Sequence, residues 1–273
     1  MNPARLAAAA LAATAALVLL PAATAQAAGV PTHYAALGDS YSSGTGAGDY
    51  FDHLCLRSNR AYPALLAGAL GSELTFAACS GATTADLLAT QLGVLAADTE
   101  LVTVTIGGND IGWAEAVRAC IAPLNDCTDD IAEAEGRIAT ELPGLLDGAY
   151  RGIAGRAPNA DVYVLGYPRL FNERDECDAF GQTSIAEQQR MNQGADRLAE
   201  VLQAKAAEHG FTYVDVREAF AGHAVCDEVA YLHGLRHPLV ESYHPNAMGH
   251  LNGYYPAIAR ALQTAAPTGI RTS

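Results

Sequence analysis

Four short stretches of this chain carry residue types that together could perform acyl transfer: "GDSYSSG" presents Ser40, "CSGAT" Gly81, "GGND" Asn109 and "YHPN" His244. A serine hydroxyl is a weak nucleophile until a base takes its proton, and an imidazole titrates close enough to neutrality to do so. The tetrahedral species that follows carries an oxyanion, which needs fixed hydrogen-bond donors. The backbone N–H groups of Ser40 and Gly81 and the side-chain amide of Asn109 are candidates for that role. Taken singly, each stretch has a plainer reading. A serine or glycine can sit in an ordinary polar loop, two glycines can serve a turn with positive φ, and a histidine can pack or cap. The joint pattern is what points to chemistry.

Something must bring residues 204 positions apart into one place, and the chain between them alternates short β-rich runs with longer helical ones. "THYAALG", "LTFAACSG", "LVTVTIGG", "ADVYVLGYP" and "FTYVDV" read as strands. Helical spacing marks "AYPALLAGAL", a short piece around "TTADLLA", and "AEAEGRIATELPGLLDGAYRGIAGRAP", interrupted near Pro143. It also marks "SIAEQQRMNQGADRLAEVLQAKAAEHG", closed by Gly210, and the final "NAMGHLNGYYPAIARALQTAA". Nearly continuous apolar strands separated by helices predict a parallel sheet covered on both faces, an α/β fold in three layers. In such sheets ligands sit at the carboxyl ends of the strands. Ser40, Gly81 and Asn109 each follow a predicted strand, and His244 lies just before the last helix.

The first 27 residues are set apart from this domain. Arg5 is followed by an apolar run from Leu6 to Leu20, a break at Pro21 and small residues, the layout of a secretory signal peptide cleaved after Ala25 or Ala27. A membrane anchor is the rival reading, disfavoured because the run is so rich in alanine and ends in small residues. Residues 28–273 then form one domain, expected to be secreted and monomeric, without stable membrane anchoring. Six cysteines follow the signal, and an even count in an exported chain predicts disulfides. Pairing neighbours in sequence gives Cys55–Cys79, Cys120–Cys127 and Cys177–Cys226. A metal site built from His223, Cys226, His233 and His237 is the competing reading, but no C-x-x-C pair accompanies these residues, so no metal is expected. The irregular stretches 42–59 and 171–183 read as surface loops pinned by cysteines. The formal charge is −14, with Lys205 the sole lysine, which argues against nucleic-acid or anionic-membrane partners.

The four blocks, in this order, resemble those of the GDSL/SGNH hydrolases. "CLRSNRAYP" and the "GGNDIGW" block are similar to those of exported actinomycete lipases and esterases, over nearly the whole chain after the signal. The resemblance implies a flavodoxin-like α/β/α sandwich with a five-stranded parallel sheet. It also implies Ser40 as nucleophile, His244 as base, and Ser40, Gly81 and Asn109 as the oxyanion hole. The activity implied is cofactor-free hydrolysis of carboxylic esters, with a lipid or a small-molecule ester as substrate. One position departs from the pattern. Where the family has an aspartate three residues before the histidine, this chain has Glu241. Either Glu241 or the backbone carbonyl of Ser242 is left to orient His244. Asp39 and Asp110 are expected to order their loops. The residue two after Ser40 is Ser42, not the glycine of the α/β-hydrolase elbow. Trp113 and Ile111 are candidates for an acyl groove or for the core. An acyltransferase and a non-catalytic binding protein on the same sandwich are the alternatives.

Overall fold

Alternation along the strands explains the layering. In β1 (His33–Gly38), Tyr34 and Ala36 enter one apolar core while Ala35 and Leu37 enter another. In β5 (Leu101–Thr105), Leu101 goes to the first core, and Val102 and Val104 go to the second. Successive side chains of a strand point to opposite faces, so a strand apolar at every position must be covered on both. β6 (Asp161–Leu165) follows the same rule. The protein is seen here in a computed structural model that describes residues 30–122, 126–174 and 183–265. The expected signal segment and Cys177 lie outside those residues.

With β4 (Glu73–Phe76) and β7 (Thr212–Val214), these strands form a five-stranded sheet in the order β4-β1-β5-β6-β7, every pair parallel. The chain moves from β1 to one side and then returns to the other, so the order reverses between β1 and β5. Their carboxyl ends therefore flank the crevice where doubly wound sheets bind ligands. A two-stranded antiparallel ladder, β2 (Tyr50–Asp52) with β3 (Arg57–Ser58), lies inside the stretch expected to be irregular.

Helices α2 (Tyr62–Leu70) and α8 (Tyr255–Ala265) pack on one face through Tyr62, Leu66 and Ile258. On the other lies α6 (Leu142–Arg156), through Leu142, Leu146, Tyr150 and Ile153. α5 (Thr128–Thr140) precedes it, the break falling beside Pro143 as the sequence suggests. α7 (Ile185–Glu208) starts at a capping box in which the Ser184 hydroxyl accepts from Glu187 N–H and the Glu187 carboxylate accepts from Ser184 N–H. Cys55–Cys79 and Cys120–Cys127 are bonded. Cys226 is also a disulfide cysteine, while the other end of its expected pair lies outside the described residues. Among the described residues, no helix is long and apolar enough to cross a membrane.

Candidate active site

The turn after β1 is held from several sides. At Gly38 φ is +120°, and a Cβ there would stand 2.2 Å from the Thr105 carbonyl oxygen, so only glycine lets β1 end this close to β5. The buried Gln91 amide clamps that glycine, accepting from Gly38 N–H at 2.7 Å and donating to the Gly38 carbonyl at 2.9 Å. Asp39 N–H donates to Thr105 O at 2.9 Å. The Asp39 carboxylate then accepts from Tyr41 N–H at 2.9 Å, capping the one-turn helix α1 (Ser40–Ser43) that carries Ser40. Ser42 accepts from Thr105 N–H at 3.1 Å and bonds the Tyr62 hydroxyl at 3.0 Å. A glycine there could do neither.

At the C-terminal end of the domain, Tyr243 has a φ of +60°, unusual for a bulky residue. Its N–H donates to His233 O, and its carbonyl accepts from the Tyr41 hydroxyl at 2.7 Å, so contacts from two other segments hold the turn. The turn folds the Ser242 carbonyl back to 2.9 Å from Nδ1 of His244. Nε2 of the same ring lies 2.7 Å from Oγ of Ser40. With Nδ1–H donating to the carbonyl, Nε2 is left to accept from the serine hydroxyl.

Both ring nitrogens of His244 are thus occupied, leaving none for Glu241. That carboxylate instead accepts from the Tyr50 hydroxyl at 2.7 Å and pairs with Arg236 at 3.4 Å. Replacing Glu241 by alanine is therefore expected to lower kcat by less than about tenfold, because it removes a distant charge and no bond to the ring. Steady-state kinetics on a soluble ester check this. A thousandfold loss would make the carboxylate the orienting group.

Gly81 sits in the loop after β4, with a φ of +82°. Cys79 is tied to Cys55, and Ser80 N–H donates to Cys55 O at 3.0 Å, which fixes that loop beside α1. Asn109 follows β5, and its Nδ2 donates to the Ala82 carbonyl at 2.9 Å, which leaves the amide's second hydrogen without an acceptor among the described residues. Among the described residues, neither Ser40 N–H nor Gly81 N–H is committed to an intramolecular acceptor. Asp110 accepts from Thr84 backbone and hydroxyl and so joins the two loops.

Tyr167, after β6, has no counterpart in the sequence reading. Its hydroxyl donates to Asp39 and accepts from Gly108 N–H at 3.0 Å, tying the Ser40 turn to the Asn109 turn. A tyrosine directly after a strand end, in "LGYP", was the only available signal. Burial pushes the Asp39 carboxyl up to about 7, partly countered by its bonds from Tyr167 and Tyr41. Burial likewise pushes His244 down to about 4, against the opposing pull of the Ser242 carbonyl.

Ser40, Gly81, Asn109 and His244 share one cavity of about 430 Å³, walled mainly by apolar side chains that include Trp113, Val117, Leu170 and Leu198. Leu239, 70% exposed, stands among the lining residues. Of the two groove candidates, Trp113 lines this cavity, whereas Ile111 is buried in the core beneath the sheet. Of the four residues of the rival metal reading, three are engaged elsewhere. His223 stacks on Tyr231, Cys226 is oxidised, and His233 bonds Gly46 O at 2.8 Å. Among the described residues, no group of three or more His, Cys, Asp or Glu side chains is arranged to hold a metal ion.

An α/β/α sandwich with a serine–histidine pair at the switch point of its sheet defines a class of ester hydrolase. The chain belongs to the GDSL-like Lipase/Acylhydrolase family, which matches residues 36–251, and it is an ester hydrolase of that family. It is similar to Lipase 1 of Streptomyces coelicolor, at 45% identity over 88% of this chain and 91% of that one. Among solved structures, it resembles phospholipase A1 from Streptomyces albidoflavus NA297 with a TM-score of 0.80 and 41% identity, covering 84% of this chain and 99% of that chain. An extracellular lipase from Streptomyces rimosus matches with the same TM-score and coverage, at 44% identity.

Proposed function

We propose that the protein is a secreted lipase or esterase that cleaves lipid acyl esters through an acyl-enzyme on Ser40. The observation that carries this reading is the pair of bonds on one ring, Ser40 Oγ to His244 Nε2 and His244 Nδ1 to Ser242 O. As Oγ attacks the ester carbonyl carbon, its proton passes to Nε2. The Ser242 carbonyl holds the Nδ1–H tautomer and aims the ring. The negative charge on the former carbonyl oxygen meets the N–H groups of Ser40 and Gly81 and the Asn109 amide. On collapse the C–O bond to the alcohol breaks, and the alcohol leaves with the proton from Nε2. Water repeats the sequence on the acyl-enzyme, giving up a proton to Nε2, and the carboxylic acid departs as Ser40 regains its hydrogen. These steps call on no metal or organic cofactor.

An apolar cavity beside the nucleophile suits an acyl chain, and its volume is in the range of ordinary small-ligand sites. The lipase and phospholipase relatives favour lipid esters. Export is supported by the extracellular relative and by the disulfides, which persist in oxidising compartments.

Labelling with a fluorophosphonate, followed by peptide mass mapping, tests the reading. The expected result is a single adduct on Ser40 in the native protein and none in His244→Ala. A folded, unlabelled native protein would sink the proposal.

The pH profile offers a second check. The base must be neutral to accept a proton, and burial holds His244 at about 4 rather than near the usual imidazole value. The His244 limb of the kcat/KM profile should therefore fall near pH 4, and any loss between pH 7 and 5 should be absent from Asp39→Asn. An inflection near pH 7 that vanishes in Asp39→Asn belongs to Asp39. An acid limb centred near 6.5 in both proteins would contradict this assignment of the base.

A further inference from the structure

Gly194 lies within α7, where a glycine costs about 1 kcal/mol relative to alanine. The packing at this position gives that glycine a purpose. A methyl group at Gly194 would lie 2.5 Å from Cη2 and 2.7 Å from Cζ3 of Trp113, distances at which one of the two must move. The indole, which opens α4 (Trp113–Ile121), therefore rests directly on bare helix backbone. The ring also packs against both apolar cores and faces the cavity beside Ser40. Trp113 lines that cavity, and so do Ala195 and Leu198, the residues of α7 next to the glycine and one turn on. Gly194 does not line it and stands behind the ring.

We propose that Gly194 sets the acyl-chain length the enzyme accepts by letting the Trp113 indole sit back against α7. The inference rests on the reading of the cavity as an acyl site. With the glycine present, the ring is withdrawn and the cavity keeps its depth. A side chain at position 194 crowds the ring, and the ring, on this inference, yields into the cavity it lines. Close packing makes such a displacement costly for a ligand methylene, each misfit methylene being worth roughly 10- to 200-fold in kcat/KM. On this proposal short acyl groups stop before the ring and do not sense the change.

The test measures kcat/KM on p-nitrophenyl acetate, octanoate and hexadecanoate for the native protein, Gly194→Ala and the double variant Gly194→Ala/Trp113→Ala. The expected result is a fall of about tenfold or more in the hexadecanoate-to-acetate ratio in Gly194→Ala, with recovery of the ratio in the double variant. An unchanged ratio, or equal losses on all three esters, overturns the proposal. So does a fall in the ratio that removing the indole fails to rescue. Trp113 is the single tryptophan of the chain, so its emission provides a readout that needs no turnover. Hexadecanoate added to the native protein should shift that emission, and its affinity should drop about tenfold or more in Gly194→Ala, while acetate does neither. If no ester is hydrolysed but hexadecanoate binding shows this pattern, the hydrolase mechanism fails and the length-setting role stands. If hexadecanoate leaves the emission unchanged, the role assigned to Gly194 fails.

Discussion

Replacing Ser40 by alanine is expected to lower kcat for ester hydrolysis roughly 10⁴- to 10⁶-fold, and His244→Ala to do nearly the same. Either change removes the proposed nucleophile or the group that, among the described residues, is placed to activate it, Nε2 at 2.7 Å. Residues that act as one unit are not additive, so the double variant should be no slower than the slower single one. What survives is the contribution of substrate binding and of the oxyanion donors. The loss should not come from unfolding. The turn that carries Ser40 is held by Gln91, Thr105, the Asp39 carboxylate and Tyr41, none of which depends on the serine hydroxyl. Thermal melting of Ser40→Ala should accordingly stay within a few degrees of the native protein. Steady-state kinetics decide the matter, and a variant that keeps more than a few per cent of native activity would place the nucleophile elsewhere.

Asn109→Ala is expected to cost about 10²- to 10³-fold in kcat with little change in KM, equivalent to about 3–4 kcal/mol of transition-state stabilisation. The asymmetry follows from when the bond matters. A neutral ester carbonyl gains little from the amide, while an oxyanion gains a great deal in a largely apolar site. The donor is already aimed, because its first hydrogen is held by the Ala82 carbonyl at 2.9 Å and the second costs no reorganisation to use. Alanine also strips the Ala82 carbonyl of its partner, so a small loss of stability accompanies the loss of rate. Asn109→Asp separates the two effects. It keeps the shape but replaces donors with a negatively charged acceptor facing the developing charge, and should be at least as slow as alanine. An aspartate variant of near-native rate would show that the amide donates nothing to the oxyanion.

How much of this could be read without coordinates differs from residue to residue. Ser40 and Asn109 were legible because each ends an apolar strand with small residues, and in a parallel sheet every such end points to the same edge. The helix boundaries around α7 were legible for a local reason as well, since Ser184 and Glu187 form a capping box three residues apart. Gln91 and Tyr167 were not legible. Gln91 looks like one more polar residue near the end of a short helical run, and its clamp on Gly38 spans 53 positions. Tyr167 reaches Asp39 across 128 positions, and nothing local marks a tyrosine after a strand as the strut between two loops.

By itself, the sequence determined the layers, the strand ends and the identity of the four blocks, because all of these follow from short-range periodicity and from glycines required at fixed turns. It left the partner of His244 open between Glu241 and Ser242. Tertiary structure puts the Ser242 carbonyl, not Glu241, within bonding distance of the ring. Glu241 is drawn to Tyr50 and Arg236, which arrive from other parts of the chain. The Ser242 carbonyl reaches the ring only because Tyr243 takes a left-handed conformation held by Tyr41 and His233. A bulky residue does not adopt that backbone on its own account, so the bond to His244 Nδ1 exists only once the distant segments have packed around it.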